Sequence, residues 1–168
     1  RVENYKNGVL HGKKIEYNTD DTTLIYEEFN YINGKLNGQY VGYNDSGKVR
    51  ETGLYENDKK QGEWIWEGYN NGRHIKTIIR YKNDLEQGRR ETYLNGKLVT
   101  YTNYINGVKN GKSLDYDTYH GSNYTESTWL KDTLHGFYWS YEKQDSTIIN
   151  REKGNYIKGK KNGIWIYY

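Results

Sequence analysis

Hydrophobic and polar positions along this chain alternate with a period of two over short runs, such as GEWIWEGY at 62–69 and IKTIIRY at 75–81. Each run stops at a cluster of Asn, Asp and Gly. Period-two alternation is the mark of strands with two different faces, and β-branched and aromatic residues suit them. A glycine or Asn-Gly recurs roughly every dozen residues, which leaves no window for a helix of ordinary length. The pattern therefore predicts short antiparallel strands joined by tight turns. Asn, Asp and Gly fit those turns because they tolerate positive φ and their short side chains bond local backbone.

The pattern also repeats. Aligned on an aromatic, a turn dipeptide two and three residues later and a glycine four beyond that, seven units begin at Tyr5, Tyr31, Tyr55, Tyr81, Tyr104, Trp129 and Tyr156. Their closing glycines are Gly12, Gly38, Gly62, Gly88, Gly111, Gly136 and Gly163, separated by 26, 24, 26, 23, 25 and 27 residues. Variable spacing around a constant turn confines insertions to a loop. The expected fold is all-β, an elongated, twisted antiparallel meander of about seven stacked β-hairpins, or about fourteen strands. It forms one repeat array over 1–168, with approximate units 1–26, 27–50, 51–76, 77–99, 100–124, 125–151 and 152–168. YINGKLNGQY at 31–40 then reads as one hairpin turn, opened and closed by its two Asn-Gly pairs.

Each unit carries two faces beyond its closing glycine. Three residues on stand Ile15, Val41, Ile65, Glu91, Leu114, Trp139 and Ile166, and five residues on a tyrosine stands in six of seven units. These share a face and form a repeated stripe expected to be structural. Two and four residues on, the units disagree: Lys14 and Glu16, Tyr40 and Gly42, Trp64 and Trp66, Arg90 and Thr92, Ser113 and Asp115, Tyr138 and Ser140, Trp165 and Tyr167. A varying face is free to recognise something, so Tyr40, Trp64, Trp66, Tyr138, Trp165 and Tyr167 are the candidate partner-binding residues. The competing reading is that this face is covered and its tryptophans are packing residues.

Composition sharpens the picture. Hydrophobic residues make up only 33% of the chain and aromatics 16%, with 20 Tyr and 5 Trp, so any core must be built largely from rings. Disordered chains are aromatic-poor, and this one is read as folded. A net charge of +3 comes from 25 basic and 22 acidic residues that are interleaved, so no nucleic-acid partner is expected. There is no cysteine, hence no disulfide or thiolate metal site. The chain opens on Arg1 and contains no methionine, from which a removed signal peptide or an excised fragment is expected. An extracytoplasmic or cell-surface placement in a bacterium is one expectation and the cytoplasm is the alternative. The terminal strands RVENY and IWIYY lack polar caps, which suggests that the natural protein continues, that the ends self-associate with another copy through edge strands, or that a partner covers them.

The pattern Tyr-x-Asn-Gly-x-x-x-Gly-x-Trp-x-x-Tyr, clearest in YENDKKQGEW and YIKGKKNGIWIYY, resembles the MORN repeat and, more closely, the bacterial variant found in the antitoxin-like YwqK family. The resemblance runs from Tyr5 to Tyr168. Asp84 and Asp132 depart from it where glycine is preferred, and Lys14, Arg90 and Ser113 where an aromatic is. It implies stacked hairpins that serve protein or membrane contacts, without catalytic residues or cofactors.

No chemistry competes with that reading. GVKNGKS at 107–113 is one residue short of a phosphate loop and leads into no helix. His11 and His135 fill a slot taken elsewhere by Asn37, Gln61, Gln87, Asn110 and Asn162, so a polar group bonding turn backbone is expected there. His74 and His120 have no spaced ligand partner. The leading expectation is a non-enzymatic scaffold that binds another protein, antitoxin or immunity-like or surface-exposed. The alternative is a carbohydrate or cell-wall module using exposed Trp and Tyr, since NGIWIYY is also similar to choline-binding and glucan-binding repeats. A membrane surface comes third, because it wants a coherent basic face.

Overall fold

The computed structural model describes residues 1–117, 123–144 and 147–168; His120 lies outside them. Among these there are sixteen strands and no helix: β1 (Val2–Lys6), β2 (Val9–Tyr17), β3 (Ile25–Ile32), β4 (Lys35–Leu36), β5 (Gly38–Tyr43), β6 (Val49–Glu56), β7 (Lys59–Asn70), β8 (Arg73–Lys82), β9 (Leu85–Glu86), β10 (Gly88–Leu94), β11 (Lys97–Ile105), β12 (Val108–Asp117), β13 (Asn123–Leu130), β14 (Thr133–Gln144), β15 (Thr147–Ile157) and β16 (Lys160–Tyr167). They form an antiparallel meander, as the alternation predicts. Two compact units, 1–85 and 86–168, meet inside β9. In the first, β1-β2-β3-β5-β6-β7-β8 lie side by side with β4 paired to β3; in the second, β10 to β16 follow in chain order.

The turn after each anchor has positive φ at both central residues: Asn7-Gly8, Asn33-Gly34, Asn57-Asp58, Asn83-Asp84, Asn106-Gly107, Lys131-Asp132 and Lys158-Gly159. That is the two-residue type I′ hairpin, whose twist matches its flanking strands. The closing glycine has a different job. Asn37-Gly38 is no part of the turn, contrary to the reading of YINGKLNGQY as one turn closed by its second Asn-Gly. It lies within the returning arm, between β4 and β5, where the Asn37 amide donates to Asn30 O at 2.8 Å. Opposite most of these glycines the strand pairing shifts, as between Thr102 and Tyr104 or Ser127 and Trp129. These are β-bulges, and all seven closing glycines hold positive φ, from 65 to 115°. The asparagine before the anchor braces the bulge: Nδ2 of Asn4, Asn30 and Asn103 donates to Lys13 O, Gln39 O and Lys112 O at 2.6 to 2.7 Å.

Successive hairpins are hooked together at their turns. The amides of Gly34 and Asp58 donate to Leu10 O and Leu36 O, those of Asp84 and Gly107 to Lys60 O and Glu86 O, and those of Asp132 and Gly159 to Lys109 O and Leu134 O, all at 2.8 to 3.1 Å. Aspartate at this site makes a second bond. Asp58, Asp84 and Asp132 accept through Oδ1 from the amides of Leu36, Lys60 and Lys109 at 2.8, 2.8 and 2.7 Å. The departures from glycine at Asp84 and Asp132 are thus clamps, in which a charge-assisted bond offsets the cost of a non-glycine residue at positive φ. The slot before the closing glycine also serves the next turn. His11 Nδ1, Gln61 Oε1 and Gln87 Oε1 accept from the amides of Asn33, Asn83 and Asn106 at 3.5, 3.3 and 3.0 Å, the role expected of a polar group there.

Burial does not follow the expected split between the two faces. The hydrophobic side chains exposed by less than a tenth are Tyr40, Trp64 and Val99 among the described residues, and the first two lie on the varying face. Ile15, Val41 and Ile65 of the repeated stripe are only half-buried. The anchors explain this. Tyr31, Tyr55 and Tyr81 stand two residues beyond Phe29, Gly53 and Ile79, so their rings share the face of Tyr40 and Trp64.

Candidate functional site

The aromatic face is built from one sequence pattern used twice. Arg50-Glu51-x-Gly53-x-Tyr55 and Arg151-Glu152-x-Gly154-x-Tyr156 are each followed, at equal spacing, by Lys-Lys-x-Gly-x-Trp-Ile and an aromatic: Lys59 to Trp66 and Lys160 to Tyr167. The glycine lies directly beneath the indole. A Cβ on Gly53 would come 2.1 Å from the Trp64 ring, and one on Gly154 would come 2.4 Å from the Trp165 ring. Across that glycine a tyrosine faces the tryptophan, Tyr40 opposite Gly53 and Tyr138 opposite Gly154.

Packing within each copy is alike. Tyr40 and Trp64 stack with centroids 5.3 Å apart at 24°, and Tyr55 meets Trp64 edge-on at 5.1 Å. Tyr138 and Trp165 lie 5.9 Å apart at 37°, and Tyr156 meets Trp165 edge-on at 5.0 Å. Lys60 Nζ sits 3.9 Å from the Trp64 centroid and Lys161 Nζ 4.0 Å from that of Trp165, cation–π contacts with the ring faces. Lys161 also donates to Glu152 at 2.8 Å and to the Tyr167 hydroxyl at 3.2 Å. The Glu152 bond, then the Tyr167 one, hold its ammonium well above the usual lysine range.

The copies differ in what stands beside the tyrosine. In the first, the Tyr40 hydroxyl donates to Glu27 Oε1 at 2.9 Å, and a Cβ on Gly42 would lie 2.8 Å from that hydroxyl. Burial, then the Glu27 bond, push the Tyr40 phenol far above its ordinary value. Phe29 extends the stack, 5.3 Å from Tyr40. This copy is closed. In the second, the strand pairing puts Thr125 where Glu27 stands, Ser140 where Gly42 stands and Ser127 where Phe29 stands. A groove of about 460 Å³ opens there, floored by Thr125 and Ser140, walled by Tyr138 and Tyr167, with Asn123, Glu142 and Glu152 at its rim; Arg151, paired with Tyr141, holds its guanidinium 6.0 Å from the Tyr168 ring instead. Glu152 is neutralised by its pair with Lys161.

The six candidate residues therefore divide. Tyr40 and Trp64 are core, 5% and 3% exposed, which is the packing reading for this face. Trp66 is 38% exposed and lies over Gly68 in its own strand. Tyr138, Trp165 and Tyr167 converge on the second copy, with Tyr167 62% exposed. Of the anchors, Tyr5 is exposed and Tyr31, Tyr55, Tyr81, Tyr104, Trp129 and Tyr156 are half-buried. The roles of Thr125, Ser140, Glu142 and Glu152 escape a unit-by-unit reading, because strand pairing alone places them in the groove. Aligning 50–66 with 151–167 reveals the doubled pattern; comparing the strands that precede each copy then finds Thr125.

No protein-family model matches the chain, and no curated protein matches it.

Proposed function

We propose that this chain is a non-enzymatic recognition module, a MORN-like hairpin repeat, that binds a neutral carbohydrate in the groove of residues 86–168. The observation that carries the reading is the replacement of Glu27 and Gly42 by Thr125 and Ser140 in an otherwise repeated constellation. It leaves two tyrosine rings around a floor of hydroxyls with amide and carboxylate groups at the rim. Ring faces stack on the apolar face of a pyranose, and the rim groups are donors and acceptors for its hydroxyls. The groove's volume lies within the range of small-ligand sites. A sugar of about a dozen non-hydrogen atoms at about 0.3 kcal/mol per atom gains roughly 3.6 kcal/mol, which is millimolar affinity. Useful binding then comes from several sugars or several modules.

A glycan array and affinity electrophoresis in gels containing neutral polysaccharide test this, using the wild type and Thr125→Glu. The substitution gives Tyr138 the carboxylate partner that Tyr40 has, and should close the groove without unfolding the chain. Retention by wild type that Thr125→Glu abolishes is the expected result. Absence of retention by any glycan overturns the reading.

A protein partner, antitoxin-like or otherwise, is the second reading. It is favoured by Ile164, Tyr167 and Tyr168, exposed by 83, 62 and 66%, because large exposed apolar side chains of this kind anchor interfaces.

A further inference from the structure

Resting on the carbohydrate reading, we infer that the ligand is a linear chain of several sugars, bound internally and laid across the strands rather than gripped at one end. A second groove, of about 370 Å³, lies on the same face of the same unit and shares Thr125 with the first. The strand register makes this continuity. Thr102, Ser113 and Ser127 stand opposite one another on neighbouring strands, followed by Tyr138; one step along, Thr100, Asp115, Thr125 and Ser140 form a parallel row. The floor is therefore a strip of small hydroxyl side chains, interrupted by Asp115, that runs perpendicular to the strands.

Its wall is aromatic along its length. Trp129 and Tyr104 flank the second groove as Tyr138 and Tyr167 flank the first. The Trp129 ring is held in place: its Nε1 donates to Ser127 at 2.9 Å, and Lys109 Nζ lies 4.7 Å from its centroid. Within the strip, Thr102 and Ser113 share a hydrogen bond of 2.9 Å, and Ser113 reaches Tyr101 O at 3.1 Å, which fixes the floor. From Thr102 on β11 to Tyr167 on β16 are five strand intervals, about 24 Å at about 4.8 Å each. That exceeds one or two sugars. Both grooves are open to solvent at their rims, where Glu142 and Asp115 are exposed, so a chain can pass through rather than end there. Arg90, Lys109 and Asp115 line the second groove, and Arg90 is paired with Glu86 at 3.4 Å, which leaves one charge of each sign and again matches a neutral polymer rather than an acidic or basic one.

Isothermal calorimetry with soluble neutral oligosaccharides from disaccharide to hexasaccharide, cellulose-type and chitin-type, tests the inference on the whole chain. Affinity should rise at least tenfold between disaccharide and hexasaccharide and then level off. Thr100→Tyr, which blocks the second groove only, should abolish the rise but keep the disaccharide affinity; Thr125→Glu should remove binding at every length. A disaccharide that binds as tightly as the hexasaccharide, or a length dependence that survives Thr100→Tyr in a variant with wild-type circular dichroism, overturns the extended chain and leaves the carbohydrate reading standing. No binding of any oligosaccharide overturns both.

Discussion

Gly53→Ala is the sharpest test of how the aromatic face is held. Gly53 has an ordinary backbone conformation, so alanine brings no φ penalty, and the whole effect must come from the added methyl. That methyl would sit 2.1, 2.2 and 2.6 Å from three atoms of the Trp64 ring. The ring cannot yield by a small shift, because Tyr40 stacks on it at 5.3 Å, Tyr55 and Tyr81 abut it edge-on at 5.1 and 6.2 Å, and Lys60 caps it. The indole must leave its site. A tryptophan buries about 150 to 250 Å², so at about 25 cal/mol/Å² full expulsion costs about 4 to 6 kcal/mol. Partial relaxation brings the expected loss to about 3 to 5 kcal/mol, the scale of a large-to-small core change. With urea and circular dichroism, a slope of about 2 kcal/mol/M shifts the midpoint by about 1.5 to 2.5 M. Because hairpin arrays can unfold by parts, amide exchange in β5 to β8 is read alongside. The decisive measurement is a double-mutant cycle. In a Trp64→Ala background, Gly53→Ala should change stability by less than about 1 kcal/mol, since the clash is gone. Additive costs, or a Gly53→Ala protein within about 1 kcal/mol of wild type, would refute the idea that the glycine exists to seat the ring.

Gly154→Ala should be milder, about 1 to 2 kcal/mol, because Trp165 is half-buried and can swing toward solvent; thermal unfolding of both glycine variants side by side checks the order. Asp58→Ala keeps a Cβ at a φ of 68° and should lose the bond to the Leu36 amide, about 1 to 2 kcal/mol, whereas Asp58→Gly loses the same bond but relieves about 1 kcal/mol of backbone cost; an Asp58→Ala protein as stable as wild type would dismiss the clamp. The Tyr40 phenol titrates far above the ordinary value of about 10, so the fold favours its neutral form. The folded state then holds a proton that the unfolded chain has released, and stability, full below about pH 10, declines as pH rises toward the folded value. Denaturation midpoints above pH 10 should fall less steeply in Tyr40→Phe, and an unchanged slope would remove Tyr40 from the alkaline response.

Much of this architecture can be read from local sequence, because its determinants act locally. Asn33-Gly34 and its counterparts demand positive φ at two successive positions, which few residue pairs accept, and period-two alternation between such turns leaves antiparallel strands as the outcome. The unit spacing and the roles of His11, Gln61 and Gln87 follow from the same short-range chemistry. The second Asn-Gly pair misleads because a bulge and a turn both select glycine at positive φ, and only the pairing of Asn37 with Asn30 tells them apart. Which face is core was equally beyond the pattern, since it depends on rings from neighbouring strands. Tyr55 and Tyr81 reach Tyr40 and Trp64, and Tyr31 reaches Phe29 beside Tyr40, only once the strands are in register, and a face that varies from unit to unit can still be filled by them. The groove has the same origin. Sequence alone determines a repeated hairpin with a doubled tyrosine, glycine and tryptophan motif; only tertiary structure sets Thr125 beside Ser140, where small side chains leave unfilled what Glu27 and Gly42 close around Tyr40. A cavity is defined by side chains on different strands, and their separation along the chain hides it.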